Sequence, residues 1–405
     1  MKIILITSKL SFEDNGAPIG GSVVDLHLKA KGLVELGHEV SVVTAFSNAD
    51  RITGELPYRV FQRCIKRRGL ISLQKGVYSF LKEFESKADV FYIDGHMFLY
   101  GGGAYRMFGG KKPVVGFFNV RLNAWADASG NVARPSFFLL FKKKLRLLGE
   151  RILGAPIANH LDAFIFNTPH VQKMYHSFGI ARKKPNAVIE DFIATRELMR
   201  RFNITSEGVR THQEAGGPIL FLSTGRMLPE KGFALLVRAF ARVMKNPSSE
   251  DGVLPFKKGE YRLVLSGGGP EKERLEKLAG EFGLGENIIF PGWVEKEKLY
   301  QFFKEAHVFI FPRWWLEYGS AVLTEAMAFG LPSIIPGGGA LEWLTNGAAL
   351  PFFNDSVEEL AKRIEELGAN QTLRTELAEK ALTRAEALDA RVLAKRLEQI
   401  IKSVV

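Results

Sequence analysis

A single cysteine, Cys64, in 405 residues leaves nothing from which to build an internal disulfide framework or a thiolate metal site. That scarcity fits a reducing compartment and calls for no redox role. No apolar run approaches the ~20 residues that a bilayer core demands, so no segment is expected to span a membrane. The opening residues, MKIILITSKL, hold a short apolar run, but charged and turn-forming residues follow at once and no small-residue cleavage site appears. They read as a first strand. Aromatic-interleaved nucleic-acid motifs are missing, which sets nucleic acid aside as a partner. Carboxylate-rich metal motifs are missing too, so neither a metal nor another cofactor is expected. The first glycine loop does not follow G-x-G-x-x-G, which argues against a dinucleotide enzyme.

What is present is enough apolar material for two domains, with 46% hydrophobic residues spread over the chain. The net charge of +11 is unevenly placed. Residues 1–190 hold 27 Lys and Arg against 15 Asp and Glu, a surplus of 12, and the remainder carries −1. A one-sided basic surface implies an acidic partner, with an anionic membrane or a phosphorylated acceptor ahead of nucleic acid. Two basic, partly amphipathic stretches stand out, Arg59 to Lys87 and Phe137 to Leu153. Either suits a membrane interface with Lys and Arg toward anionic headgroups, or a solvated helix with one core-facing stripe. The chain is therefore expected in the cytoplasm, with room for peripheral contact on the inner face of a membrane.

Alternation of buried strand, glycine loop and helix runs the length of the chain and predicts parallel α/β modules. Lys2 to Thr7 is a strand, Gly16, Gly20 and Gly21 lead into a helical pattern from Val23 to Leu36, and His38 to Thr44 is the next strand. Ala88 to Ile93 and Pro113 to Phe118 follow, with His96 and Asn119 just past their carboxyl ends, where ligands of open α/β sheets gather. In the second half, Ile219 to Ser223 feeds the loop TGRMLPEKGF, where Arg226 and Lys231 flank a strand-to-helix turn that begins at Gly225. Two cations and a helix N-terminus facing one anion suit a diphosphate. Tyr261 to Ser266 runs into Gly267, Gly268, Gly269 and Pro270, and Asn287 to Phe290 into Pro291, Gly292, Trp293 and Val294.

The densest stretch is Phe311 to Pro332, FPRWWLEYGSAVLTEAMAFGLP. Glu317 stands before Tyr318, Gly319 and Ser320. Ser320 can cap a helix from Ala321 to Phe329 that includes Leu323 and Glu325, and Gly330 with Pro332 stops it. A helix start for an anion and two carboxylates for hydroxyls point to a nucleotide sugar.

Glu, seven residues, Glu, followed by an AMAFGLP tail, resembles the signature of retaining family 4 glycosyltransferases. The GR…KG loop and the GGSVVDLHLKAKGLVELGHEVSVVT module are similar to that family in the same order. The resemblance implies a GT-B fold: α/β, with two Rossmann-like β/α/β domains facing a central cleft. It implies an acceptor-binding domain over 1–193, a linker over 194–217, a nucleotide-sugar domain over 218–385, and a last helix over 386–405 packing back toward the first domain. It implies transfer of a sugar from a nucleoside diphosphate donor to a hydroxyl of a glycan or lipid-linked acceptor, with retention of configuration and without a metal.

By the same resemblance Arg226 and Lys231 meet the donor diphosphate, Glu317 the transferred sugar and Glu325 the ribose. Gly20, Gly21, Gly225, Gly268, Gly269, Val294, Tyr318, Gly319, Ser320 and Leu323 complete the donor-binding set. Asn119 holds the place of a family histidine, so its hydrogen bonding is kept without a titratable group, and His96 or Arg121 is expected to take over part of that role. The segment PNAVIEDF lacks the glycine usual in the family. Rival readings are a nucleotide-sugar epimerase or phosphorylase on a similar scaffold, or a catalytically silent sugar-nucleotide or lipid-binding protein. UDP, GDP and ADP remain equal candidates for the donor nucleotide.

Overall fold

A computed structural model describes residues 1–13, 18, 20–45, 52, 55–65, 70–119, 145, 147–245, 261–312, 319–353 and 355–405. Gly16, Arg121, Glu317, Tyr318 and the basic run 142–144 lie outside the described residues. The chain divides into two compact units, Met1–Ile193 with Ala390–Val405, and Ala194–Asp389.

The first unit is built on a parallel sheet of seven strands in the order β3-β2-β1-β4-β5-β6-β7. These are β1 (Lys2–Thr7), β2 (Glu39–Thr44), β3 (Arg59–Gln62), β4 (Val90–Asp94), β5 (Val114–Phe118), β6 (Ala163–Phe166) and β7 (Asn186–Val188). KIILIT, VFYID, VVGFF and AFIF are near-continuous apolar runs because a parallel sheet is covered on both faces. Helix α1 (Gly21–Glu35) lays Leu26, Ala30 and Leu33 on that sheet, and the last helix, Ala390–Lys402, adds Leu393, Ala394, Leu397 and Ile401 to the same core. The two helices touch at Gly32, where a Cβ would lie 2.7 Å from that of Ala394. An ion pair from Arg396 to Glu190 at 2.9 Å and a hydrogen bond between His38 Nε2 and Glu398 Oε1 at 2.8 Å hold the last helix down. Between these two helices in sequence come α2 (Leu70–Phe84), α3 (Leu99–Met107) and α4 (Ala155–Ala158), the last preceded by helical turns over 147–149 and Glu150–Gly154.

One expectation is corrected here. The basic stretch from Arg59 does not begin as an amphipathic helix. Arg59–Gln62 pairs in parallel with Ser41–Thr44 as an edge strand, because Val60 and Phe61 continue the sheet and an edge tolerates Arg and Gln beside them.

The second unit holds six parallel strands in the order β10-β9-β8-β11-β12-β13. They are β8 (Ile219–Thr224), β9 (Tyr261–Ser266), β10 (Ile288–Gly292), β11 (Val308–Ile310), β12 (Ser333–Pro336) and β13 (Ala349–Phe352). Residues 194–217, expected as a linker, instead form α5 (Thr195–Arg201) and α6 (Ser206–Glu214) within this unit. Their apolar faces explain why: Val209 packs on Ala378 and Leu382 of a long helix over Gln371–Ala387, and the Thr195 hydroxyl donates to the Ala385 carbonyl at 2.7 Å. Helix α7 (Phe233–Lys245) buries Leu236, Val237 and Phe240 on the sheet, and α8 (Lys296–Glu305) and α9 (Ala321–Ala328) complete what positions the site. Among the described residues no helix is long and apolar enough to cross a membrane.

Candidate active site

Strand order locates the site in the second unit. The chain runs outward from β8 through β9 to β10, then returns to the other side of β8 with β11, so the order reverses between β8 and β11. In an open parallel sheet the two loops leaving such a point diverge and leave a crevice at the carboxyl ends. The loop after β8 carries Gly225, Arg226 and Lys231, and the stretch after β11 leads to Gly319 and Ser320. Arg226 is exposed. Lys231, half-buried, ends a 3-10 turn over Pro229–Lys231, after which Gly232 at φ 74° turns the chain into α7. Only glycine takes that left-handed conformation without strain.

Three neighbouring loops are sewn together through backbone. The Gly225 N–H donates to Ser266 O (3.1 Å), Met227 N–H to Gly268 O (2.9 Å), Glu271 N–H to Met227 O (3.1 Å) and Gly267 N–H to Gly292 O (2.8 Å). The glycines after β9 divide their work accordingly. A Cβ on Gly267 would lie 1.9 Å from Gly225 O, and one on Gly269 would lie 2.5 Å from Met227 O, at φ of +132° and +150°. Both residues let loop approach loop rather than leaving open backbone. Gly268 differs: its Cβ would find only the Cβ of Trp293, at 3.9 Å. Trp293 itself is 71% exposed. Gly267→Ala is therefore expected to cost about 2–4 kcal/mol through strain and backbone clash. Gly268→Ala should stay within ~0.5 kcal/mol, as substitutions away from such features do. Thermal melts of the two variants check this, and equal melting would overturn the division.

At α9 the cap forms as the sequence predicts. Ser320 Oγ accepts the Leu323 N–H at 3.2 Å, and Gly330 at φ +69° ends the helix. Leu323 contributes this N–H, while its side chain is wholly buried. Glu325 is buried on the same helix, where Tyr300 of α8 donates its hydroxyl to Oε1 at 3.0 Å and Lys296 reaches that oxygen at 3.2 Å. Neither partner is adjacent in sequence, and neither was foreseen. Val294, half-buried, follows Trp293 at the end of β10.

The first unit has its own reversal, between β1 and β4. Gly20 (φ 89°) accepts the N–H groups of Val23 and Val24 at 3.0 Å to start α1, and neither it nor Gly21 has an atom within 4 Å of where a Cβ would stand. His96 opens a 3-10 turn directly after β4, and Asn119 follows β5. The structure thus brings Gly20, Gly21, His96 and Asn119 to one sheet's carboxyl rim, and Arg226, Lys231, Gly225, Gly268, Gly269, Val294, Gly319, Ser320 and Glu325 to the other's.

Sequence reading missed a charged cluster below the first rim. Asp25 and Lys29, one turn apart on α1, pair at 2.5 Å with Lys29 only 1% exposed. The ammonium sits 3.2 Å from the Phe117 ring centroid, and the other Asp25 oxygen accepts the Phe192 N–H at 2.7 Å. Asp94, at the end of β4, accepts the Thr7 hydroxyl at 3.4 Å. Burial pushes Asp94 up to about 6, with Lys29 opposing and Asp25 adding to the rise. Burial and Asp25 push Asp191 up to about 7. Both keep some accessible surface, so water tempers the effect.

The sign follows directly. Unfolded, these carboxyls titrate near 3.8, so between that value and 6–7 the folded chain binds more protons than the unfolded one. The first unit should lose stability as pH rises through this window. Asp94→Asn should flatten the slope, and hydrogen exchange of β4 amides between about pH 5 and 7.5 reads it; an unchanged slope would count against the assignment.

Comparison with known proteins bears on the family and the fold. Residues 207–384 match the family model for glycosyl transferases group 1, and residues 19–195 that for glycosyltransferase family 4. The lipopolysaccharide core biosynthesis glycosyltransferase LpsE of Rhizobium meliloti is 27% identical over 272 residues, 67% of this chain and 70% of that protein. An uncharacterised glycosyltransferase of Methanocaldococcus jannaschii is 23% identical over 358 residues, 84% and 82% of the two chains. In fold, sucrose-phosphate synthase of Thermosynechococcus elongatus matches at TM-score 0.69 and 19% identity, covering 99% of this chain and 98% of the other. HepE of Anabaena, solved with UDP, matches at 0.69 and 16% identity over 100% of both. With two all-parallel sheets and family matches running from residue 19 to 384, the chain has the GT-B fold and belongs to the family 4, group 1 glycosyltransferases.

Proposed function

We propose that this glycosyltransferase moves a sugar from a nucleoside diphosphate donor to an acceptor hydroxyl with retention of anomeric configuration and without a metal. The observation that carries the reading is the placement of Arg226 and Lys231 on the loop after β8 and of the α9 start after β11, the two strands that flank the reversal point of the second sheet. As the glycosidic bond to the donor breaks, positive charge develops on the sugar ring and negative charge on the leaving diphosphate. Arg226, Lys231 and the Gly319 and Ser320 N–H groups take up the negative charge, where preorganised donors act most strongly. Two cations balance the two formal charges of the bound diphosphate, and the N–H groups at the α9 start meet the charge that develops as the bond breaks; this balance supports a reading without a metal. Glu317 holds hydroxyls of the transferred sugar, and Glu325, steadied by Tyr300 and Lys296, holds the ribose. Gly268 and the exposed face of Trp293 offer a surface on which a nucleobase can lie. Complexes of HepE with UDP and with UDP-glucose support a donor of this class.

The test is a thermal-shift series with UDP, GDP and ADP, followed by NMR of the product anomer from the matching donor. A diphosphate at ~100 times its Kd should stabilise by about 2.7 kcal/mol and raise the melting temperature by several degrees. No shift with any diphosphate, or a product of inverted configuration, would overturn the reading.

A further inference from the structure

The reversal between β1 and β4 opens a crevice in the first sheet as its counterpart does in the second, and here carboxyls stand at the rim. Thr7 ends β1 and Asp94 ends β4, with the Thr7 hydroxyl donating to Asp94 Oδ2. Asp191 follows β7 and accepts from the side chain of Asn167, which follows β6. Asp25 and Lys29 act on both from α1: Lys29 lowers the proton affinity of Asp94 and Asp191, and Asp25 raises it. Arg396 pairs instead with Glu190, the residue before Asp191. Among the described residues, three carboxyls thus share the Lys29 ammonium, and the surplus charge of the cluster is negative.

Two polar atoms in this cluster have no hydrogen-bond partner among the described residues. One is Tyr92 Oη, on a wholly buried side chain that shares a face of β4 with Asp94 and feels the charges of Asp94, Asp25 and Asp191. The other is Asp191 Oδ1. Buried polar groups are almost always paired, so two orphans in one charged cluster point to a missing partner. Its chemistry follows from theirs. An anion is repelled by the surplus of carboxyls, and among the described residues no group of three such side chains could hold a metal ion. An ammonium brings the opposite charge with three donors and no acceptor, which is what carboxylate and phenol oxygens require. Asp94 and Asp191 keep some accessible surface, so that ammonium can arrive on a ligand from the rim. Half-buried on the same rim, His96 and Asn119 offer partners to hydroxyls of that ligand.

We propose that the crevice at the carboxyl ends of β1 and β4 binds a hydroxyl-bearing primary amine, with the ammonium seated at Asp94 and Asp191. The site lies in the unit that does not carry Arg226 and Lys231, and binding reads it whether or not sugar transfer is seen. Hydrogen exchange of β4 amides in the full chain, with β8 amides as an internal standard, is followed with glucosamine, N-acetylglucosamine, glucose and glucose 6-phosphate. Glucosamine should slow β4 exchange, by ~10-fold at ten times its Kd, and the other three should leave it unchanged. Methylamine separates the sources of the amine: slowing by methylamine as well shows that the ammonium suffices, and slowing by glucosamine alone shows that the hydroxyls are read too. Asp191→Asn keeps the shape and removes the charge, so the glucosamine effect should be lost. Exchange of the variant without ligand shows whether it is folded, and Asp94→Asn provides a second variant with the same expected loss. No slowing by either amine would overturn the proposal. So would equal slowing by glucose or glucose 6-phosphate, or a glucosamine effect undiminished in both Asn variants.

Discussion

Arg226→Ala is expected to lower kcat by ~10²–10³-fold, the loss seen when one preorganised donor to a transition-state anion is removed. The reason lies in where charge appears. A diphosphate bound in the ground state already carries its formal charge, but the bridging oxygen gains more as the sugar departs, and a cation fixed at that point acts chiefly on the departure. KM for the donor should therefore rise less than kcat falls. Arg226 is exposed on a loop pinned from both sides, by Gly225 to Ser266 and Met227 to Gly268, so its truncation should leave melting nearly unchanged. Arg226→Lys should recover part of the rate, since it restores the charge but not the planar fork. Lys231→Ala should give a loss of the same order, and the double variant less than the product of the two if both meet one phosphate. Steady-state kinetics against the donor that passes the thermal-shift series provides the measurement. Parental kcat in Arg226→Ala would remove this residue from the leaving-group site.

How far the sequence reveals this site depends on how local each signal is. The positions of Arg226, Lys231 and Ser320 at strand-to-helix turns were legible because a strand, a turn and a helix start each leave their mark within a few residues. The strands were legible for a similar reason, since a parallel sheet covered on both faces needs unbroken apolar runs such as VVGFF. What stayed hidden are contacts between segments. In sequence Gly267 and Gly269 are two of three consecutive glycines after a strand, and nothing local shows that their missing side chains admit Gly225 O and Met227 O from the neighbouring loop. Tyr300 and Lys296 sit a helix away from the Glu325 they hold. Arg59–Gln62 carries too little pattern over four residues to separate an edge strand from a basic helix. Residues 194–217 looked like a linker because their charges face water, while Leu198 and Val209 are buried. Asp25 and Lys29, four apart, fit a solvated helix face equally well, and only the packing of α1 below the rim makes them buried.

That burial sets up the largest expected change in stability. Asp25→Ala removes the partner of an ammonium that is 1% exposed, and breaking such a pair from one side typically costs about 3–5 kcal/mol because the remaining charge has no water to return to. It also leaves the Phe192 N–H without its acceptor. Asp94 and Asp191 lie near enough for Lys29 to lower their proton affinity, so they should take over part of the ammonium's charge and hold the loss toward the lower figure near neutral pH. Lys29→Met should act in the opposite electrostatic sense. It leaves three carboxylates without a cation, and the first unit should then destabilise more steeply as pH rises. In the double variant Asp25→Ala/Lys29→Met neither member of the pair is stranded, and at about pH 5, where Asp94 and Asp191 hold their protons, the loss should shrink to ~1–2 kcal/mol for the unpaired Phe192 N–H. Because the chain has two units, hydrogen exchange of β1 and β4 amides, with β8 amides as an internal standard, is the proper readout. A double variant as unstable as the sum of the singles would show that the pair does not act as a unit. Unchanged protection in Asp25→Ala would show that Lys29 finds its charge balance elsewhere.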